Sequence, residues 1–265
     1  MDEYSIHINN RLSILILQDG FSFLVLNELN IPIGFEDFRL ETGSSTTELL
    51  KLLKSKIDTE FIGNNKIREL EVIYGNPQFS IVPKDYFVES HLPHYLKYSS
   101  KLIEGDDFSY DEIPPIQAYT VYIPYININN YLFDAFGSFK FTHLFTGLVK
   151  SGYKECSASA EYLKIHVSKD QIYLTAFQNQ KLQLANTFSY ETPEDFAYYV
   201  LFSVEELNFN REQLLIDFTG NFYNFEDNKA LEILSTYIRH IQFKNKVDSS
   251  EFGRNKAFHE HFNLI

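Results

Sequence analysis

The chain has 265 residues, 44% hydrophobic and 22% charged, which suits two domains of ordinary size and excludes a disordered chain or a fibre. Its 36 acids against 23 bases leave a net charge of -13, which argues against nucleic acid and anionic lipid as partners. The single cysteine, Cys156, excludes an internal disulfide framework and a cysteine-based zinc cage.

The start, Met1-Asp2-Glu3-Tyr4, lacks the basic residues and apolar run of a secretory signal. No stretch approaches the ~20 apolar residues that cross a bilayer. A cytoplasmic protein without membrane insertion is therefore expected. With 25 Phe, 18 Tyr and no Trp, 16% of the chain is aromatic, so sheets with bulky cores are expected too.

From Arg11 the chain alternates short apolar runs with turns. Leu12 to Leu17 and Phe21 to Leu26 read as strands joined at Gln18-Asp19-Gly20, and Ile33 to Leu40 as a third. Ser45 with Glu48 is a capping-box spacing, and Leu49, Leu50, Leu52, Leu53 and Ile57 then mark one face of a helix. Glu69 to Tyr74, closed by Gly75-Asn76-Pro77, is a fourth strand, and Phe79 to Val82 a fifth. Val88 to Leu102 reads as a helix, and the acidic stretch from Gly105 to Pro115 as an exposed linker. Tyr119 to Tyr125 reads as a strand, Asn127 to Phe136 as a helix, Phe139 to Leu144 as an edge strand, and the next stretch to about Tyr153 as a helix.

The first pattern then returns. Tyr162 to Val167, Ile172 to Phe177 and Leu182 to Tyr190 are strands separated by Lys169-Asp170 and Asn179-Gln180. Thr192-Pro193-Glu194-Asp195 opens a helix that runs to about Leu207, with the acids near its positive end. Leu214 to Phe218 follows, closed by Thr219-Gly220-Asn221, then a helix near Ala230 to Tyr237 and a strand near Ile238 to Phe243. Asp170 lies 151 positions after Asp19, and Gly220 lies 145 after Gly75. A shared offset across landmarks of different kinds marks an internal duplication. The expected division is 1–115 for the first half, 116–245 for the second and 246–265 for a polar tail expected to be partly disordered.

Strand-strand-strand-helix-strand, used twice, is an α/β design of two pseudo-symmetric halves. On Leu12 to Leu40, Ser45 to Ile57, Glu69 to Val82 and their counterparts from Tyr162 to Phe243, it resembles the superfamily of actin, sugar kinases and heat-shock ATPases, whose halves are ribonuclease-H-like. More narrowly it resembles a bacterial family of uncharacterised proteins with an actin-like ATPase fold, similar in outline to pilus-assembly and secretion scaffolds. That resemblance implies two hairpins whose backbone amides hold phosphates and whose aspartates organise a metal. Asp19-Gly20-Phe21-Ser22 fits in part; Ser168-Lys169-Asp170-Gln171 has no glycine; after strand four of the second half only Gly220 stands where the superfamily has a run of glycines. The expectation is a non-catalytic interaction or scaffold protein with a protein partner and no cofactor. The alternative is an ATP-binding protein with Mg²⁺, in which Asp19, Gly20, Asp217 and Gly220 line the cleft.

Other chemistry finds no support. His91 and His94 have ligand-like spacing but enclose Pro93, and His259 and His261 flank Glu260 in the polar tail; all four read as exposed. His143 and His166 read as hydrogen-bonded sheet residues, Cys156 has no evident base, and Asp106 with Asp107 reads as a solvated loop. Phosphate-loop, dinucleotide-binding and serine-hydrolase motifs are absent.

Overall fold

The computed structural model describes residues 10–41, 43–57, 64, 66–98, 100–158, 160–220 and 229–243. The tail 246–265, with His259 and His261, lies outside them, as does Asn221.

Three strands meander first: β1 (Asn10–Leu17), β2 (Gly20–Leu26) and β3 (Pro32–Arg39). The helix α1 (Thr46–Lys56) then carries the chain across to β4 (Ile67–Gly75). Ser45 and Glu48 form the expected capping box, each satisfying a backbone amide of the other. The first sheet has the order β3-β2-β1-β4-β8, antiparallel across the meander and parallel from β1 outward. Its fifth strand is β8 (Lys140–His143), the edge strand expected near residue 140.

The second sheet repeats that order: β9 (Glu161–Val167), β10 (Gln171–Gln178) and β11 (Lys181–Ser189) meander, and β12 (Leu215–Gly220) and β13 (His240–Phe243) extend them in parallel. The helix α5 (Pro193–Glu206) starts on a second capping box, Thr192 with Asp195, and α6 (Lys229–Tyr237) precedes β13. Sheet order β11-β10-β9-β12-β13 matches the first sheet strand for strand.

Four details depart from the sequence reading. The fifth apolar run, β5 (Phe79–Pro83), leaves the first sheet and joins β7 (Ala118–Tyr122) and β6 (Ser109–Ile113) in a separate antiparallel sheet. The stretch expected to be an exposed acidic linker contains β6, because Ile113 is fully buried and Asp111 finds four donors. The helix expected over 88–102 is one 3₁₀ turn, Glu89–His91, followed by α2 (Leu92–Leu96). Pro93 supplies no amide donor, so it sits in the first turn of a helix and cannot sit in its middle. Finally, β8 pairs with β4, so the first sheet takes residues from beyond the 115/116 division.

Two helices close the first half, α3 (Ile126–Phe136) and α4 (Leu144–Glu155). The second of these lies between the halves, packing on β4, β8 and β6 and on β9, β10 and β11. Leu144, Phe145 and Leu148 belong to the first core, while Val149 packs with Tyr162 and Phe177 of the second sheet. Gly152 lets the helix come close: a Cβ there would stand 2.4 Å from the Phe177 ring.

Candidate functional site

The β1–β2 and β9–β10 hairpins meet, and the contact is polar and buried. Asp19 is 2% exposed, and its Oδ2 accepts the Lys169 backbone amide at 3.0 Å and the Arg39 guanidinium at 3.2 Å. Arg39 stands at the end of β3 and holds Asp37 at 2.9 Å as well. The Lys169 ammonium reaches back to the Leu40 carbonyl at 3.5 Å, so the junction is bridged in both directions. A charge-assisted bond to a buried carboxylate is about twice as strong as a neutral one, so these contacts fix the hairpins together.

Gly20 opens β2 with φ +150°, and a Cβ there would stand 2.1 Å from the Phe38 carbonyl oxygen. Beside the junction is a cavity of about 190 Å³ lined by Asp19, Asp170, Ser44, Ser45 and Tyr125. The Oδ1 atoms of Asp19 and Asp170 are buried without hydrogen-bond partners. Burial first, and the charge of Asp19 second, raise the Asp170 pKa.

The other two candidates lie on β12 of the second sheet, Gly220 beside Val167 at the base of the β9–β10 hairpin. Gly220 ends β12 with φ +85°, and a Cβ there would be 2.3 Å from the Val167 carbonyl oxygen. Asp217 is three residues earlier on the same strand, about 10 Å from that end at strand rise. It is fully buried, and its Oδ2 accepts the Lys164 ammonium at 3.1 Å and the Tyr162 hydroxyl at 2.8 Å. Glu155, at the end of α4, accepts from the same Lys164 at 3.1 Å, and its carboxylate stands 2.7 Å from the Tyr162 hydroxyl, whose single proton the two carboxylates share. Burial, then the charges of Asp217 and Glu155, push the Tyr162 pKa up, so the phenol stays a donor. This cluster ties α4 to the second sheet. Asp19 thus meets Lys169 and Asp170, while Asp217 meets Lys164, Tyr162 and Glu155.

A run of rings in mutual contact joins the two sheets. His166 and Tyr173 of the second sheet lead to Phe145 of α4, then Phe79 of β5, then His143, and then Tyr122 of β7. The Tyr173 hydroxyl donates to the Gly75 carbonyl at 2.8 Å, joining the second meander to the end of β4. His143 caps α4: its Nδ1 accepts the Phe145 amide, and its Nε2 bonds the Asn76 carbonyl oxygen at 3.0 Å. Burial holds this imidazole neutral, with a pKa lowered to about 3.

Asp111 was missed by the sequence reading. Its carboxylate accepts from the Thr142 hydroxyl, the His143 amide and the Thr146 hydroxyl, each at 2.7 Å, and from the Tyr122 hydroxyl at 3.1 Å. It pins the inserted sheet to the start of α4. Its partners lie more than 30 positions away in three of the four cases, beyond the reach of any local pattern.

Among the described residues no group of three His, Cys, Asp or Glu side chains is placed to hold a metal ion. No described helix is long and apolar enough to cross a membrane. His91 and His94 are exposed, their rings 5.3 Å apart, and Cys156 is buried with its thiol near the Ser157 and Ala160 carbonyls.

Comparison with solved structures gives the fold. A protein of unknown function with an actin-like ATPase fold from Bacteroides thetaiotaomicron VPI-5482 superposes with a TM-score of 0.78. It is 20% identical, over 97% of this chain and 98% of that one. A chain of the PilM–PilN type IV pilus biogenesis complex superposes with a TM-score of 0.58 at 11% identity, over 96% of this chain and 97% of that one. The chain therefore has the two-lobed actin-like ATPase architecture, each half ribonuclease-H-like. No curated protein sequence matches it. With a family model matching residues 2–241, the chain belongs to the family described as "Protein of unknown function (DUF3822)".

Proposed function

We propose that this protein is a non-catalytic scaffold that binds other proteins and has given up the nucleotide cleft of its fold. The observation that carries the reading is the bond from the Lys169 amide to Asp19. In the superfamily that the chain resembles, the hairpin amides hold phosphates. Here the amide of the second hairpin is spent on the aspartate of the first, and Arg39 supplies the positive charge beside it.

ATP and Mg²⁺ fit these residues poorly. The cavity at the junction is about 190 Å³, below the ~300 Å³ at which small-molecule sites begin. Among the described residues neither Asp217 nor Gly220 lines that cavity, Asp217 being held by Lys164 and Tyr162, and rings from His166 through Tyr173 and Phe145 to Phe79 are in contact between the sheets. The PilM–PilN structure, in which this fold occurs within a complex of two proteins, agrees with a scaffold role.

The test is thermal unfolding of the purified protein with and without millimolar ATP–Mg²⁺. A ligand bound only to the folded state stabilises it by roughly RT ln(1 + [L]/Kd). The expected result is an unchanged midpoint. A rise that disappears in Asp19→Ala would overturn the proposal and return the chain to the nucleotide-binding alternative.

A further inference from the structure

Among the described residues, two of the three sheets end on strands that border the same groove. The inserted sheet ends on β5 and the second five-stranded sheet on β11, and both line a groove of about 1130 Å³. Among the described residues neither strand is paired with another strand along its outer edge, although on β11 the Asn186 side chain accepts the Thr187 amide at 2.9 Å and the Gln183 side chain donates to the Lys181 carbonyl at 3.2 Å. An open edge is a row of unpaired amides and carbonyls, ready to accept another strand unless it is guarded. β5 is guarded by its shortness and by Pro83 at its end. β11 is nine residues long, and a bulge at Gln183 interrupts only its beginning. From Leu184 to Thr187 it is regular and lines the groove without a break.

The lining also says what the groove would take. The floor is apolar, with Phe79, Ile81, Leu182 and Ala185. On a chain of net charge -13, no Asp or Glu lines the groove among the described residues, where the charged lining residue is Lys181. At the rim Tyr98 is 88% exposed, with the Lys97 ammonium 4.7 Å from its ring centroid. An exposed tyrosine beside an apolar floor suits peptide recognition, since it buries much area while losing little side-chain freedom. The acidic surface elsewhere on the chain attracts basic segments, whereas at this strip Lys97 and Lys181 turn the local preference toward acidic ones.

We propose that this groove binds an extended segment of a partner protein, added as a strand to the open edge of β11, with alternate apolar side chains on the floor and a carboxylate near Lys97 or Lys181. Backbone bonds to the edge would give affinity, and the alternating pockets specificity. The regular part of β11 and its neighbours accommodate about six residues, or about 20 Å of strand. The proposal rests on the scaffold reading and names the partner chemistry for it.

The probe is a phage-displayed library of eight-residue peptides alternating Val, Ile or Thr with Asp, Ser or Lys, selected against the full chain. The expected winners carry Asp in preference to Lys and slow amide exchange over residues 182–187. Lys181→Glu and Tyr98→Ala, both at exposed positions, should each weaken them about tenfold while the unfolding midpoint stays put. Absence of winners, winners insensitive to both variants, or protection confined to the exposed Tyr198 and Phe202 on α5 would overturn the proposal. So would a dimer of the chain that Lys181→Glu dissociates, or winners that reproduce the sequence of residues 244–265, since the occupant would then be this chain itself. None of these outcomes involves nucleotide, so the groove can fail while the ATP–Mg²⁺ result leaves the scaffold reading standing.

Discussion

The two five-stranded sheets have one strand order but fill the same register position in opposite ways. In the first sheet Leu17 pairs with Gly75, and three residues back Ile14 pairs with Val72. In the second, Val167 pairs with Gly220, and three residues back Lys164 pairs with Asp217. All four of those side chains are buried. An aliphatic pair needs only packing there. An ion pair must also be hydrogen-bonded, and Tyr162 and Glu155 complete it. The ion pair does something the aliphatic pair does not: it reaches Glu155 and so fastens α4 to the sheet. The second half has thereby placed this ion pair in the scaffold of the interface, down the strands from the hairpin end.

The comparison is most easily broken at that pair. Lys164→Met strands the buried Asp217 and should lower stability by roughly 3–5 kcal/mol in urea unfolding, whereas Asp217→Ala leaves Lys164 its Glu155 partner and should cost less. Giving the second sheet the first sheet's pair, Lys164→Ile with Asp217→Val, should recover all but about 1.5 kcal/mol of it. If the double variant is as unstable as the singles, the two sheets do not share this register in their energetics.

The paired glycines sharpen it. At Gly220 a Cβ meets backbone and φ is +85°, whereas at Gly75 it meets the side-chain ends of Leu17 and Leu144. Gly220→Ala should therefore cost roughly 2–3 kcal/mol and Gly75→Ala about 1 kcal/mol. Equal costs would show that backbone strain is not what separates them.

A third difference is in pH. His143 belongs to the first sheet, and its folded pKa is lowered to about 3. The unfolded chain binds its proton near pH 6.5 and the folded chain does not, so stability falls as pH drops below 6.5. The slope is about 1.4 kcal/mol per pH unit, or about 2 kcal/mol between pH 6.5 and 5. His143→Gln should flatten this part of the profile. Asp170, in the second hairpin, works in the other direction. Its raised pKa favours the protonated form, so its contribution is lost as pH rises through the carboxylate range. Asp170→Asn should stabilise the protein at neutral pH by less than about 1 kcal/mol, the half-exposed position being screened.

Local signals were legible in the sequence. Ser45 with Glu48 and the helix opening at Thr192-Pro193-Glu194-Asp195 are chemistry within four residues, and each is found as expected. The repeat was legible because its landmarks are turns, where residue choice is narrow. The site was not. Lys169 is 150 positions from Asp19, and Asp217 is 53 from Lys164. Periodicity tells which face of a strand is buried, but not which strand end or helix it is buried against. Asp111 shows the same limit from the other side, since an acidic residue in an acidic stretch reads as solvated until its four donors are in place.

The central claim, that the first hairpin's aspartate occupies the second hairpin's amide, is tested most directly by hydrogen exchange at Lys169. The account predicts a protected amide without nucleotide, no change on adding millimolar ATP–Mg²⁺, and loss of protection in Asp19→Ala. A Lys169 amide that exchanges freely in the native protein and becomes protected only with ATP–Mg²⁺ would contradict it.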